Sequence, residues 1–189
     1  TESTTPPGTE RGELSGVVRE PAPVVSGTSL PSLTDPGSEV GFAASAGHLR
    51  AVYFGFTNGP DVCPTTLADL TVALRKLDRA SQRADRIETL MVTVDPDRDL
   101  EILPGYVTSF ISNAVAAGSP DAELLAAAAE PFGVGYDVRT LDDGTIEVDH
   151  SPFLYVVDDQ GRLVLSWQFG TSSDDMASDL GLLLDRYEP

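Results

Sequence analysis

A chain of 189 residues is long enough to bury one core and short for two ordinary domains. Its 41% hydrophobic and 22% charged residues match globular composition, and no run approaches the roughly 20 apolar residues that cross a bilayer. Lys and Arg number 12 against 30 Asp and Glu, a net charge of -18 that repels nucleic-acid phosphates and anionic lipid heads and attracts cations and basic protein patches.

Residues 1–12, TESTTPPGTERG, are polar, rich in Thr, Pro and Gly, and without periodicity. They offer too little apolar surface to offset the entropy of ordering, so a disordered tether is expected there, followed by one domain over residues 13–189. Alternation in 14–19 predicts an edge strand, and 20–38, broken by Pro21, Pro23, Pro31 and Pro36, predicts loops around one short strand. Segment 48–56, HLRAVYFGF, is β-branched, aromatic and nearly continuously apolar, the pattern of a strand buried on both faces. After the turn TNGPDVCP, Leu67, Leu70, Leu74 and Leu77 recur three and four residues apart, which predicts a helix with Pro64 at its first position. Residues 87–94 predict a second buried strand that closes in the turn Asp95-Pro96-Asp97.

A helix is expected over 100–111, with Tyr106 and Phe110 on one face and Pro104 shortening or delaying its start. A short strand at 114–117 precedes a helix over 120–132, whose Asp121 and Glu123 suit its N-terminal dipole. Segments 134–138 and 145–148 flank a turn at 141–144, and 153–157 and 163–169 flank another at 158–161, which predicts two hairpins. A last helix covers 173–187. Early strand–helix alternation implies parallel pairing through crossovers, and the late hairpin adds antiparallel strands. The fold class is therefore α/β, a mixed central β-sheet with helices on both faces, in thioredoxin-like outline.

Cys63 is the single cysteine, so no disulfide can form within the chain. A lone thiol is either an inert core residue or a reactive centre. Its place between a strand's carboxyl end and a helix N-terminus favours reactivity or ligation. Unpaired N–H groups and the helix dipole there stabilise a thiolate, and ligand sites gather at such ends.

Three blocks carry a specific resemblance: VYFGFTNGPDVCPTTLADL at 52–70, VTVDPDRD at 92–99 and VDHSPFLYVVDDQGRL at 148–163. In order and spacing they resemble the FGYTxCPDVCP, VDPxRD and DHS elements of the SCO/SenC family, over nearly everything beyond the tether. The resemblance implies a copper-handling metallochaperone rather than an enzyme, acting in assembly of the CuA centre of cytochrome c oxidase. Its implied partners are subunit II of that oxidase and another copper chaperone. The family holds copper with two cysteines of a CxxxC turn and a distant histidine. Carried over, these are Cys63, His150 and, in place of the first cysteine, Gly59, so the metal ligands left are Cys63 and His150. One thiolate and one imidazole leave a coordination position open and weaken the site, and dithiol–disulfide cycling within the chain is ruled out. Asp149 is placed to hold the His150 ring. The resemblance and the tether-like start imply a lipoprotein on the outer face of a bacterial cytoplasmic membrane, anchored only through a segment preceding these residues.

Two other readings stand beside this one. VCPTT at 62–66 is similar to the VCPTE segment of peroxiredoxins, which implies a single-cysteine thiol peroxidase, although Pro60 stands where that family has Thr. Gly59 also fits a scaffold or docking paralogue that has lost its metal. His48 reads as a surface residue and Met91 as core packing. Asp61, Asp95 and Asp97 read either as an acidic rim or as turn formers.

Overall fold

The computed structural model describes residues 13–58, 62–140, 146–150 and 153–186, with the backbone alone for 62, 136–140 and 146–150. Its centre is a parallel pair, β3 (Leu49–Gly55) and β4 (Ile87–Thr93), in register from Leu49↔Ile87 to Gly55↔Thr93. Both strands are buried except at Arg50 and Glu88, which explains their continuous apolar runs. Those two residues face each other in the register and form an ion pair of 2.5 Å. The connection between the strands is α1 (Val62–Ser81), whose Leu67, Leu70 and Leu77 are buried, and a 3-10 turn at Ala84–Arg86.

β5 (Val115–Ala117) runs parallel to β4, while β8 (Phe153–Val157) and β9 (Leu163–Gln168) form the antiparallel hairpin beside β3. The sheet order is β5-β4-β3-β8-β9, the mixed sheet expected from the alternation of elements. α5 (Ser173–Arg186) packs on α1, and α3 (Leu103–Phe110) lies against β5. Pro104 falls in the first turn of α3, so that helix starts three residues later than residue 100. The preceding Asp-Pro-Asp turn winds into a short helix, α2 (Pro96–Asp99). Residues 120–132 divide into α4 (Ala122–Ala129) and a 3-10 turn (Glu130–Phe132). Asp121 caps α4 by accepting from the N–H groups of Glu123 and Leu124.

Two small antiparallel pairs complete the fold. β1 (Ser29–Pro31), the one short strand expected within 20–38, pairs with β2 (Glu39–Gly41) just beyond that segment. β6 (Tyr136–Thr140) pairs with β7 (Ile146–His150) as the first predicted hairpin, and its turn at 141–144 lies outside the described residues, as do the expected tether at 1–12 and Tyr187.

The expected strand at 14–19 is reduced to a single bridge, Val17↔Ser166. The reason is a side chain. Asp179 of α5, fully buried, accepts the N–H groups of Ser15 (2.8 Å) and Gly16 (2.9 Å) together with the Trp167 indole N–H (2.8 Å). A carboxylate thus takes the donors that a strand ladder would have used. Gly16 is required there, because a Cβ would stand 2.8 Å from Leu165. The same N-terminal segment bridges Val24↔Arg162, immediately before β9, and reaches β5 at Ser32↔Ala117, so it lies along both edges of the central sheet.

Candidate metal centre

The carboxyl ends of β3 and β4 meet the start of α1. There Cys63, the second residue of the helix, is buried at 1% exposure. Its sulfur rests where Gly55 leaves room. A Cβ on Gly55 would lie 3.1 Å from Cys63 Sγ, 3.2 Å from Met91 Cε and 2.6 Å from Tyr53 Cε1. Tyr53, two residues earlier on β3 and likewise buried, donates its O–H to the sulfur at 3.3 Å.

This burial corrects the thiolate expectation. The Cys63 thiol is pushed above its ordinary value, chiefly by desolvation. Hydrogen bonds from the Tyr53 side chain and the Phe56 backbone pull the other way without prevailing, and the Asp99 charge adds a smaller upward push. The helix begins at Val62, two residues before the expected Pro64, so Cys63 lies within its first turn, but the sulfur is withdrawn from water, and that cost outweighs the dipole. A buried neutral thiol suits a centre that exchanges its proton for a soft cation and runs against a peroxide-attacking thiolate.

Two further polar groups converge here. The Tyr106 hydroxyl of α3 is buried and lacks a hydrogen-bond partner among the described residues. Its phenol is pushed up to about 12 by burial, and by the nearby Cys63 and Asp99. Asp99, the last residue of α2, is fully buried and accepts three hydrogen bonds: Thr57 N–H at 2.9 Å, Thr57 Oγ1 at 2.6 Å and Thr93 Oγ1 at 2.9 Å. It thereby pins Thr57, two residues before Gly59, to the end of β4. Neither Asp99 nor Tyr53 is identifiable as a site residue from composition or periodicity; both lie inside motif blocks that otherwise read as turn and strand.

Of the other candidates, Asp95 is 3% exposed and pairs with Arg98, which makes it a turn former rather than part of a rim, while Asp97 is exposed. His48 is partly exposed at the sheet's opposite end, with Nδ1 3.0 Å from the Ala46 carbonyl oxygen. Met91 is fully buried and its methyl packs at the Gly55 cradle. Gly59 and Asp61 lie outside the described residues. His150 closes β7, where its backbone pairs with Tyr136, and its side chain, like that of Asp149, lies outside the description. Among the described residues no three His, Cys, Asp or Glu side chains form a metal-holding group. The thiol sulfur is a donor that suits a soft ion.

Comparison with known proteins identifies the family and the fold. The family model described as SCO1/SenC matches residues 31–185. The SCO2-like protein RP587 of Rickettsia prowazekii is 32% identical over 133 residues, which cover 69% of this chain and 63% of that protein. The chain thus spans under two thirds of the length of that curated relative. Among solved structures, apo Sco1 from Thermus thermophilus superposes with a TM-score of 0.76 at 30% identity, covering 93% of this chain and 99% of that one. ScoI of Bradyrhizobium japonicum with copper bound gives a TM-score of 0.69 at 26% identity, covering 85% and 97%.

Proposed function

The chain belongs to the SCO1/SenC family, and we propose that it carries copper(I) as cargo on Cys63 and His150 during assembly of the CuA centre of cytochrome c oxidase. The observation that carries this reading is the Cys63 sulfur itself, buried, hydrogen-bonded by Tyr53 and seated against Gly55 at the strand ends. Copper(I) prefers soft donors, and a thiol that water cannot ionise yields its proton when such an ion arrives. Because Cys63 is the only cysteine, the chain supplies one thiol and performs no internal dithiol–disulfide exchange. With Gly59 in the place of a second sulfur, a coordination position stays open to a donor from the recipient, which favours hand-over of the ion over tight storage. The recipient proposed is subunit II of the oxidase, and a second copper chaperone is proposed as the source. A surface of charge -18 suits basic patches on either partner. The Thr, Pro and Gly-rich start is proposed as a leader holding the domain at the outer face of the bacterial cytoplasmic membrane.

The test is copper(I) titration against a chromogenic chelator. The parent chain should retain one equivalent against a moderate chelator, and Cys63→Ala and His150→Ala should each lose it. A parent chain that holds no copper contradicts the reading.

A further inference from the structure

We infer that Tyr53 is a positioning residue for the cargo: its phenol, hydrogen-bonded to the Cys63 sulfur and itself held by Thr66, biases the site toward reduced copper. The inference rests on the proposed binding of copper at Cys63. Tyr53 sits in the middle of the sheet, its backbone between Met91 of β4 and Leu154 of β8, so the ring cannot drift. Its hydroxyl lies 3.3 Å from the sulfur and is shielded from solvent, so no water competes for that proton. Thr66, buried on α1 one turn beyond Cys63, is hydrogen-bonded to the phenol. The phenol has one proton and directs it at sulfur, so Thr66 is the donor to the phenol oxygen. Chains of this kind polarise one another in a dry interior.

The bias follows from charge. A sulfur bound to copper(I) holds more negative charge than one bound to copper(II), because the oxidised ion draws more density from it. A fixed donor at the sulfur therefore stabilises the reduced form more, and hydrogen bonding around a cysteine sulfur is an established lever on copper potentials. The absence of a Cβ at Gly55 lets the phenol and the sulfur meet there.

The test compares the copper-loaded parent, Tyr53→Phe and Thr66→Val by spectroelectrochemical titration, with the sulfur-to-copper(II) charge-transfer band recorded alongside. In Tyr53→Phe the preference for copper(I) over copper(II) should fall about tenfold, the size of one hydrogen bond to a charged group, and the band should move to lower energy. Thr66→Val, which keeps the phenol, should move both readouts the same way by less. Tyr53→Phe keeps the ring and its packing, and melting curves on both variants verify folding. Equal potentials in the parent and Tyr53→Phe, with copper held in both, overturn the inference and leave the copper reading intact. A parent that holds no copper overturns both.

Discussion

The Tyr53 hydroxyl stands 3.3 Å from the Cys63 sulfur, both residues withdrawn from solvent, where the central parallel pair of strands ends. The contact joins the buried core to the chemistry. The strand that supplies the phenol is held on both sides by neighbours, and the helix that supplies the sulfur begins where Gly55 admits it.

Burial disfavours the Cys63 anion, so the thiol ionises only above the ordinary thiol value of about 8.5. The rate of alkylation by iodoacetamide should be low at neutral pH and show its inflection above that value. An inflection below it contradicts the desolvated setting. Because the folded value is raised, the group contributes stability that is present below the unfolded-state value and is lost as pH rises toward the folded one. The unfolding free-energy difference between the parent and Cys63→Ala should therefore shrink between neutral pH and mildly alkaline pH.

Gly55→Ala forces a Cβ to 2.6 Å from Tyr53 and about as close as contact allows to Cys63 and Met91. Overpacking of this kind costs about 1–3 kcal/mol. Thermal melting should show the loss, and an unchanged melting temperature means that the cradle is looser than described.

Asp99→Ala leaves two donors on half-buried Thr57 and one on buried Thr93 without their acceptor. The expected loss is roughly 2–4 kcal/mol in urea unfolding, given the cost of stranding buried polar groups. Copper retention should fall as well, since the anchor of the segment before Gly59 is gone. A variant as stable as the parent contradicts the role given to this carboxylate.

Asp179→Ala releases Ser15, Gly16 and the Trp167 indole together. Limited proteolysis should then cut within residues 13–20 at rates well above the parent's, while the central sheet persists. Equal cleavage in both contradicts the clasp.

Much of the fold is legible in the chain because burial on both faces leaves a mark. The apolar runs of β3 and β4 identify those strands within a residue, and the leucine spacing of α1 identifies that helix without fixing its end. What is illegible depends on distant partners. Nothing near residues 14–19 signals that a carboxylate of the last helix will take their N–H groups. Nothing in the Asp-Pro-Asp-Arg-Asp run distinguishes the buried Asp99 from the exposed Asp97. The helix that begins at Val62 is signalled by Pro64, yet the charge state inferred for Cys63 is reversed, because the depth of the sulfur is a property of packing. The family motifs single out Cys63 and His150 as a pair, and the roles of Tyr53 and Asp99 become visible only in three dimensions.

Gly59→Cys should restore a second soft donor and raise copper(I) affinity by orders of magnitude, read by competition with a strong chelator. Melting curves guard against strain at a position where glycine's freedom is lost. Equal affinity in parent and variant would mean that Gly59 does not occupy the place of the missing cysteine.

X-ray absorption at the copper edge of the copper(I)-loaded parent tests the central claim most directly. The account predicts a first shell with one sulfur and an imidazole nitrogen, the sulfur lost in Cys63→Ala and the imidazole pattern lost in His150→Ala. A first shell without sulfur, or one unchanged by both substitutions, contradicts it.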